Sequence, residues 1–219
     1  MSSSQAGESL RITEIFHSLQ GETSRVGLPT TFIRLTGCPL RCHYCDTAYA
    51  FTGGQSMQLQ AIVAEVKRFK TPYVTVTGGE PLAQKNCILL MRMLCDSGCQ
   101  VSLETSGALD VAAVDKRVMK ILDIKTPASG EVDKNLWSNL EQLNKDDEIK
   151  FVICDEADYN WAKQLVSDWE LPEKCPVLFS PSQGQLSPTL LADWILRDQL
   201  RVRLQLQLHK ILWGNVAGH

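Results

Sequence analysis

The stretch Cys38-Pro-Leu-Arg-Cys42-His-Tyr-Cys45-Asp-Thr47 sets three cysteines at CxxxCxxC spacing, with no fourth cysteine close by. Thiolates grouped in this way favour soft or borderline metals, chiefly zinc or iron–sulfur. A structural zinc site takes four protein ligands. His43 would have to be the fourth, from inside the tight CxxC loop, where closing on the same metal strains the chain. A 4Fe–4S cluster wants one thiolate per iron, so three cysteines leave one iron open to a small molecule. The spacing favours that open cluster over zinc, and over three cysteines serving as small core hydrophobes.

Working outward, residues 30–35 are β-branched and apolar and read as a strand that runs into Gly37 and the cysteine loop. The metal-binding loop therefore sits beyond the C-terminal end of a strand. Residues 11–16 read as a short first strand, followed by a polar loop over 18–27. Beyond the cysteines, residues 48–57 read as a loop containing Gly53-Gly54. Leu59, Ile62, Val63, Val66 and Phe69 then recur at helical spacing. Residues 73–77 form a buried-type strand ending at Gly78-Gly79-Glu80-Pro81.

The alternation continues. A helix over 86–96 stops at Gly98, and strands follow at 101–104, 118–125, 148–153 and 177–179. A helical turn at 111–114 and helices at 135–143 and 156–169 lie between them. Ser187-Pro188 opens a helix over 189–198, and a last strand over 202–208 reaches His209-Lys210. Strands alternating with helices imply a parallel sheet. About six βα units are too few for a closed eight-stranded barrel. The expected fold class is α/β, a partial, open, TIM-like βα barrel forming a single domain over residues 1–219, with residues 1–9 a flexible tail. Polar groups gather after the strand ends, the edge at which βα folds bind ligands.

Composition sets outer bounds. With 219 residues, 44% hydrophobic and 21% charged, the chain has ordinary globular content. A net charge of −3 argues against nucleic-acid binding by bulk electrostatics. No run approaches the roughly 20 apolar residues of a membrane span, and the start lacks the basic and apolar blocks of a signal peptide. Cys87, Cys95, Cys99, Cys154 and Cys175 fall in apolar helix or strand patterns rather than a disulfide framework. Reduced thiols in the cytoplasm are the expectation.

CxxxCxxC followed by a strand ending in Gly-Gly-Glu resembles the radical S-adenosylmethionine superfamily. Ser18-Leu-Gln-Gly-Glu22, Phe32-Ile-Arg34-Leu, Gly37-Cys38, Tyr44-Cys45-Asp46-Thr47, Thr77-Gly-Gly-Glu80-Pro81, Glu104-Thr-Ser-Gly107 and His209-Lys210 resemble, more closely, the 7-carboxy-7-deazaguanine synthases of queuosine biosynthesis. The resemblance runs over essentially the whole chain. It implies a lyase that contracts the ring of 6-carboxy-5,6,7,8-tetrahydropterin to give 7-carboxy-7-deazaguanine with loss of ammonia. It implies a 4Fe–4S cluster on Cys38, Cys42 and Cys45, with no catalytic side chain beyond the cofactor ligands. S-adenosylmethionine would meet Tyr44, Cys45, Asp46, Gly79, Glu80, Ser106, Asp123, Lys125, Ser180 and Gln183. Mg²⁺ would take an oxygen from Thr47, and the substrate would meet Gln20, Gly21, Glu22, Arg34, Thr77 and His209. A homodimer and an electron donor such as a flavodoxin are also implied, with no nucleic-acid or membrane partner.

The chemistry of these residues agrees with those roles. Gly78 and Gly79 permit close backbone approach, and Glu80 can accept from the methionine ammonium. Arg34 can fork onto a carboxylate, while Gln20 and Glu22 can read the donors and acceptors of an aminopyrimidinone. Each has a plainer alternative: a buried ion pair for Arg34, a surface ion pair for Lys125, a structural role for His209. Leu208 stands where relatives commonly carry Thr, and the chain continues through residues 211–219 past His209-Lys210. Two rival readings are an activating enzyme that installs a glycyl radical in a partner protein, and a non-catalytic zinc-binding module.

Overall fold

The structure, a computed structural model, describes residues 8–214, 216 and 218. In chain order the elements are β1 (Ser9–Leu19), β2 (Pro29–Leu35), β3 (Gln55–Gln58), α1 (Leu59–Arg68), β4 (Tyr73–Gly78), α2 (Cys87–Asp96), β5 (Gln100–Thr105) and β6 (Met119–Ile124). There follow β7 (Glu148–Ile153), α3 (Glu156–Asp168), α4 (Leu171–Lys174), β8 (Val177–Pro181), α5 (Pro188–Arg197), β9 (Arg203–Leu204) and α6 (Leu208–Trp213). One sheet runs in the order β3-β1-β2-β4-β5-β6-β7-β8-β9. From β2 to β9 every neighbouring pair is parallel, while β1 pairs antiparallel with both β2 and β3. β3 and β9 stand at opposite edges and do not pair, so the barrel is partial and open.

Strand alternation decides which side chains face the helices and which face the concave side. Val74 and Val76 of β4, Val101 and Leu103 of β5, Leu122 and Ile124 of β6, and Ile149, Phe151 and Ile153 of β7 belong to the buried apolar core. Leu59, Ile62 and Val66 of α1 cover this face together with Leu90, Met91 and Leu94 of α2. Tyr159, Ala162 and Val166 of α3 and Leu191, Trp194 and Ile195 of α5 complete it. The intervening residues point the other way and are mostly polar, Thr75, Thr77, Ser102, Glu104, Asp123 and Lys150 with the apolar Ile121 and Val152 among them. A sheet with one apolar and one polar face buries the first under helices and leaves the second to line a site.

Phe151 sits at the centre of the covered face, fully buried, with its ring edge-on to Trp161 and to Phe179 at centroid distances of 6.4 and 5.5 Å. Phe151→Ala removes both ring contacts and leaves a cavity that the strand backbone cannot close. A loss of about 3–5 kcal/mol in urea unfolding is expected.

Several expected boundaries move. The parallel run has seven strands, the last of them the two-residue β9. Residues 48–57 are not a plain loop: a single turn forms at Ala48–Phe51, and β3 pairs with the start of β1. Ser9 already belongs to β1, Glu8 O accepts from Leu59 N at 3.0 Å, and residues 1–7 of the expected tail lie outside the described residues. The expected last strand over 202–208 is cut to Arg203–Leu204. Beyond it, Leu208 N donates 2.8 Å to Gly21 O, a tie to the loop after β1 that replaces sheet pairing and starts α6. Residues 111–114 make one turn only, the helix expected at 135–143 is a 3-10 segment at Trp137–Gln142, and α4 was not anticipated.

Candidate active site

The C-terminal strand ends and the loops after them surround a cavity of about 650 Å³. The cysteine loop forms one wall. It is held from three directions. Gly79 N donates to Leu35 O at 3.2 Å and Glu80 N to Gly37 O at 2.8 Å, fastening the end of β4 to the start of the loop. His43 N donates 3.0 Å to Ser129 O, and its ring lies against Ala128 and Gly130. Arg41 turns back to donate to the carbonyls of Cys38 and Leu40 at 2.7 and 2.6 Å, with its guanidinium 4.3 Å from the Phe51 ring centre.

Cys38, Cys42 and Cys45 are free, partly exposed thiols that all line the cavity. Burial pushes the Cys38 and Cys42 thiols above the ordinary range. Metal coordination is what deprotonates such thiols outright. Among the described residues, no group of three His, Cys, Asp or Glu is close enough for a single metal ion. A 4Fe–4S cluster takes each thiolate on a different iron, and the three thiols on one loop lining one cavity are the donor set it needs. His43 is turned toward Ala128 and Gly130, which removes the fourth ligand the zinc reading needed.

Tyr44, Cys45, Asp46, Gly79, Ser106, Asp123, Lys125, Ser180 and Gln183 line the same cavity. Two buried polar atoms there, the Tyr44 hydroxyl and Asp123 Oδ1, find no hydrogen-bond partner. Orphaned buried polar atoms call for a partner that the chain does not supply. A polar cofactor such as S-adenosylmethionine fits them. Lys125 is buried rather than on the surface: its ammonium lies 3.1 Å from Asp123 Oδ2 and 5.9 Å from the Tyr44 ring centre. Burial works against its charge, but Asp123 and the nearby thiols hold it above the ordinary lysine value.

Glu80 departs from expectation. It is fully buried, lies outside the cavity lining, and accepts from Leu82 N, the Thr105 hydroxyl, Ser106 N and the Ser106 hydroxyl. A carboxylate so occupied is a brace between the ends of β4 and β5, not an acceptor for a methionine ammonium. Gly78 and Gly79 are the residues of that motif that line the cavity. The close approach that Gly78 and Gly79 allow is to the chain itself, at Leu35 and at Gly37-Cys38.

The same cavity is also lined by Gln20, Gly21, Glu22, Arg34, Thr77 and His209. Register brings Arg34 of β2 beside Glu14 of β1 on one side and Thr77 of β4 on the other. Arg34 Nε donates 2.7 Å to Glu14 Oε1, so the ion-pair reading and the cavity reading both hold. Phe16 and Tyr49 flank its guanidinium at 5.7 and 5.8 Å. Gln20 Nε2 donates to Thr75 and Glu104, and Gln20 Oε1 accepts from Glu22 N. Thr77 donates 2.9 Å to Glu104 Oε2. The His209 imidazole lies directly over Gly21, where any Cβ would overlap it.

Residues without an assigned role complete this lining: Glu104, Lys150, Gln207 and Lys210. Lys150 pairs closely with Glu22 Oε2, and Gln207 Nε2 donates 2.7 Å to Glu22 Oε1. Burial opposes the charge on Glu22, but Lys150 and these hydrogen bonds outweigh it and hold the carboxyl below its usual range. Burial and the neighbouring Glu22 charge push Glu104 the other way. Lys210 donates 2.6 Å to Asp46 Oδ2, and its charge and hydrogen bond overcome burial to keep Asp46 ionised well below the usual carboxylate range. Thr47 donates 2.9 Å to Asp46 Oδ1, and it lines the cavity with a hydroxyl oxygen of the kind Mg²⁺ takes. The signal for Glu104 and Lys150 was present in the sequence: each is a charged residue one position from apolar neighbours in an otherwise buried strand.

The radical SAM superfamily pattern matches residues 32–126, the span from β2 through β6. The 7-carboxy-7-deazaguanine synthase of Chlorobaculum tepidum is 48% identical over 208 residues, covering 94% of each chain. That of Koribacter versatilis is 45% identical, covering 93% of this chain and 97% of its own. Among solved structures, QueE from Escherichia coli superposes with a TM-score of 0.77 at 23% identity, over 95% of this chain and all of that one, and so shares its fold. By its cysteine loop, its open barrel and its near full-length identity to these relatives, the chain belongs to the 7-carboxy-7-deazaguanine synthase family of radical SAM proteins.

Proposed function

We propose that this chain converts 6-carboxy-5,6,7,8-tetrahydropterin to 7-carboxy-7-deazaguanine with loss of ammonia. The observation that carries the reading is that one cavity is lined both by the three loop thiols and by Gln20, Glu22, Arg34, Thr77 and His209, donors and acceptors of the kind a carboxylated pterin needs. Cys38, Cys42 and Cys45 hold the 4Fe–4S cluster. Tyr44, Cys45, Asp46, Gly79, Ser106, Asp123, Lys125, Ser180 and Gln183 hold S-adenosylmethionine, and Thr47 supplies an oxygen to Mg²⁺. When bound, the cluster and S-adenosylmethionine supply the 5′-deoxyadenosyl radical that starts the ring contraction.

The protein's part is binding, orientation and shielding. Arg34 is anchored through Nε, so its terminal nitrogens face the cavity as a fork for the substrate carboxylate. Glu22, ionised, accepts from the N–H groups of the aminopyrimidinone. Gln20 is fixed by Thr75 and Glu104 and reads the same edge. His209 and Lys210 bring α6 across the rim, where its ties to Gly21 and Asp46 exclude water from the reacting ring. A soluble flavodoxin-type donor, a cytoplasmic setting and a homodimer accompany this reading through the family; no helix among the described residues is long and apolar enough to cross a membrane.

A comparison of substrates tests the reading. Wild-type protein with reductant, S-adenosylmethionine and Mg²⁺ is expected to turn over the carboxylated tetrahydropterin and to reject its counterpart lacking the carboxylate. Arg34→Met is expected to lower kcat/KM for the carboxylated substrate by about 10²-fold, the scale of a lost charge-assisted pair. Equal use of both pterins by the wild type, or a requirement for a protein substrate, would refute the assignment.

A further inference from the structure

Lys150 stands on β7, whose side chains alternate between the apolar core (Ile149, Phe151) and the concave face (Glu148, Lys150, Val152). Its ammonium reaches the cavity and pairs with Glu22 Oε2. The groups that act on its charge most strongly are carboxylates, Glu22 from the loop after β1, Glu104 at the end of β5 and Asp123 on β6, with the His209 imidazole and the Tyr44 hydroxyl also near enough to feel it. Asp123 has its own cation in Lys125, Asp46 has Lys210, and Glu14 has Arg34. Among the described residues, Lys150 is thus the cation for the Glu22–Glu104 pair.

The geometry around Glu22 is specific. Oε1 accepts from Gln207 and Oε2 from Lys150, one hydrogen bond on each oxygen. An ionised carboxylate has about four lone-pair sites. One site on each oxygen is therefore left, so both oxygens of the carboxylate edge can still accept. Two adjacent N–H donors, such as the ring N–H and exocyclic amino group of an aminopyrimidinone, match that edge.

We propose that Lys150 is a positioning residue for the substrate: with Gln207 it clamps the outer lone pairs of Glu22, so that the remaining pair presents a fixed bidentate acceptor to the aminopyrimidinone edge. This rests on the pterin reading given above. Glu22 without the clamp rotates freely, and with Lys150 absent the two carboxylates Glu22 and Glu104 share the same buried space without a cation. The upward push on Glu104 and the downward push on Glu22 agree with a cation committed to one of the two. Lys150 acts through Glu22 and need not touch the substrate itself.

The test is a double-mutant cycle read by equilibrium binding of 6-carboxypterin, whose fluorescence reports occupancy without turnover. Wild type is expected to bind. Lys150→Met and Glu22→Gln are each expected to weaken binding about 10-fold or more. The double variant is expected to bind within about 2-fold of Glu22→Gln, because the clamp has no carboxylate left to orient toward the substrate. Lys150→Arg, which keeps a donor cation, is expected to stay within about 3-fold of wild type. Unchanged binding in Lys150→Met overturns the proposal. So does a cycle in which the two effects multiply, which would make Lys150 an independent contact or a general structural residue. If Lys150→Met does not fold, the comparison of Glu22→Gln with the double variant carries the decision alone, with equal binding in favour and weaker binding in the double variant against. No binding by the wild type is a different failure, and it strikes the pterin reading rather than the role of Lys150.

Discussion

Cys42→Ala is expected to lose iron and to lose S-adenosylmethionine cleavage by at least about 10³-fold, some 4 kcal/mol or more of transition-state stabilisation. Cys38, Cys42 and Cys45 are the cysteines that line the cavity. Cys87 and Cys175 are buried elsewhere, and Cys95 and Cys99 lie at the far end of α2. Cys154, whose thiol is pushed up to about 11 by burial, stands outside the cavity lining, so no neighbour substitutes for a lost ligand. A cluster on two thiolates leaves two irons without protein ligands. The measurement is iron and sulfide content after anaerobic reconstitution, with 5′-deoxyadenosine formation alongside. Because Cys42 is half-exposed in a loop, the thermal stability of the metal-free chain is expected to change little. Full iron loading with retained cleavage would remove this residue from the cluster.

Gly79→Ala is expected to be nearly as severe, for a different reason. A Cβ at this position would lie 2.7 Å from the Gly37 carbonyl carbon and 2.8 Å from Cys38 Cβ. These are backbone and near-backbone atoms, so no side-chain rotation relieves the overlap. Relief requires the end of β4 to part from the cysteine loop, breaking the hydrogen bond of Glu80 N to Gly37 O. That moves Cys38 relative to Cys42 and Cys45. Catalysis is sensitive to displacements of this size, about 10²-fold for 1 Å. The expected outcome is a loss of 10²-fold or more in turnover, with a drop of several degrees in Tm, measured on reconstituted protein. Wild-type turnover would show that the loop tolerates the displacement.

The fold was legible where a strand's pattern is local. The alternation of apolar strands and amphipathic helices located β2, β4, β5, β6, β7 and β8 within a residue or two, and the site edge followed from their direction. Errors came where tertiary contacts override local pattern. Leu204, Leu206 and Leu208 alternate as a strand would, yet Leu208 donates to Gly21 and the chain turns into α6. Residues 55–58 carry little strand propensity of their own and become β3 because β1 extends past them as a template.

The site shows the same division. Cysteine spacing is covalent and local, so the thiols fell on one wall as expected. Glu80 was misassigned because spacing does not say which way a strand-end carboxylate points; Thr105 and Ser106, 25 and 26 residues further on, capture it. Arg34 came with its partner unnamed, since Glu14 meets it only through the antiparallel register of β1 and β2. Glu104 and Lys150 went unassigned although their strands alternate apolar and polar residues. A two-residue period with charges on one face is the mark of a sheet whose inner side is a site.

The central claim is that thiols and pterin-reading side chains serve one reaction in one cavity. The direct test is anaerobic reconstitution with iron and sulfide, then incubation with reductant, S-adenosylmethionine, Mg²⁺ and 6-carboxy-5,6,7,8-tetrahydropterin, read by mass spectrometry. The expected result is 5′-deoxyadenosine together with 7-carboxy-7-deazaguanine. Cluster-loaded protein that forms 5′-deoxyadenosine without the deazapurine, or forms neither, would contradict it.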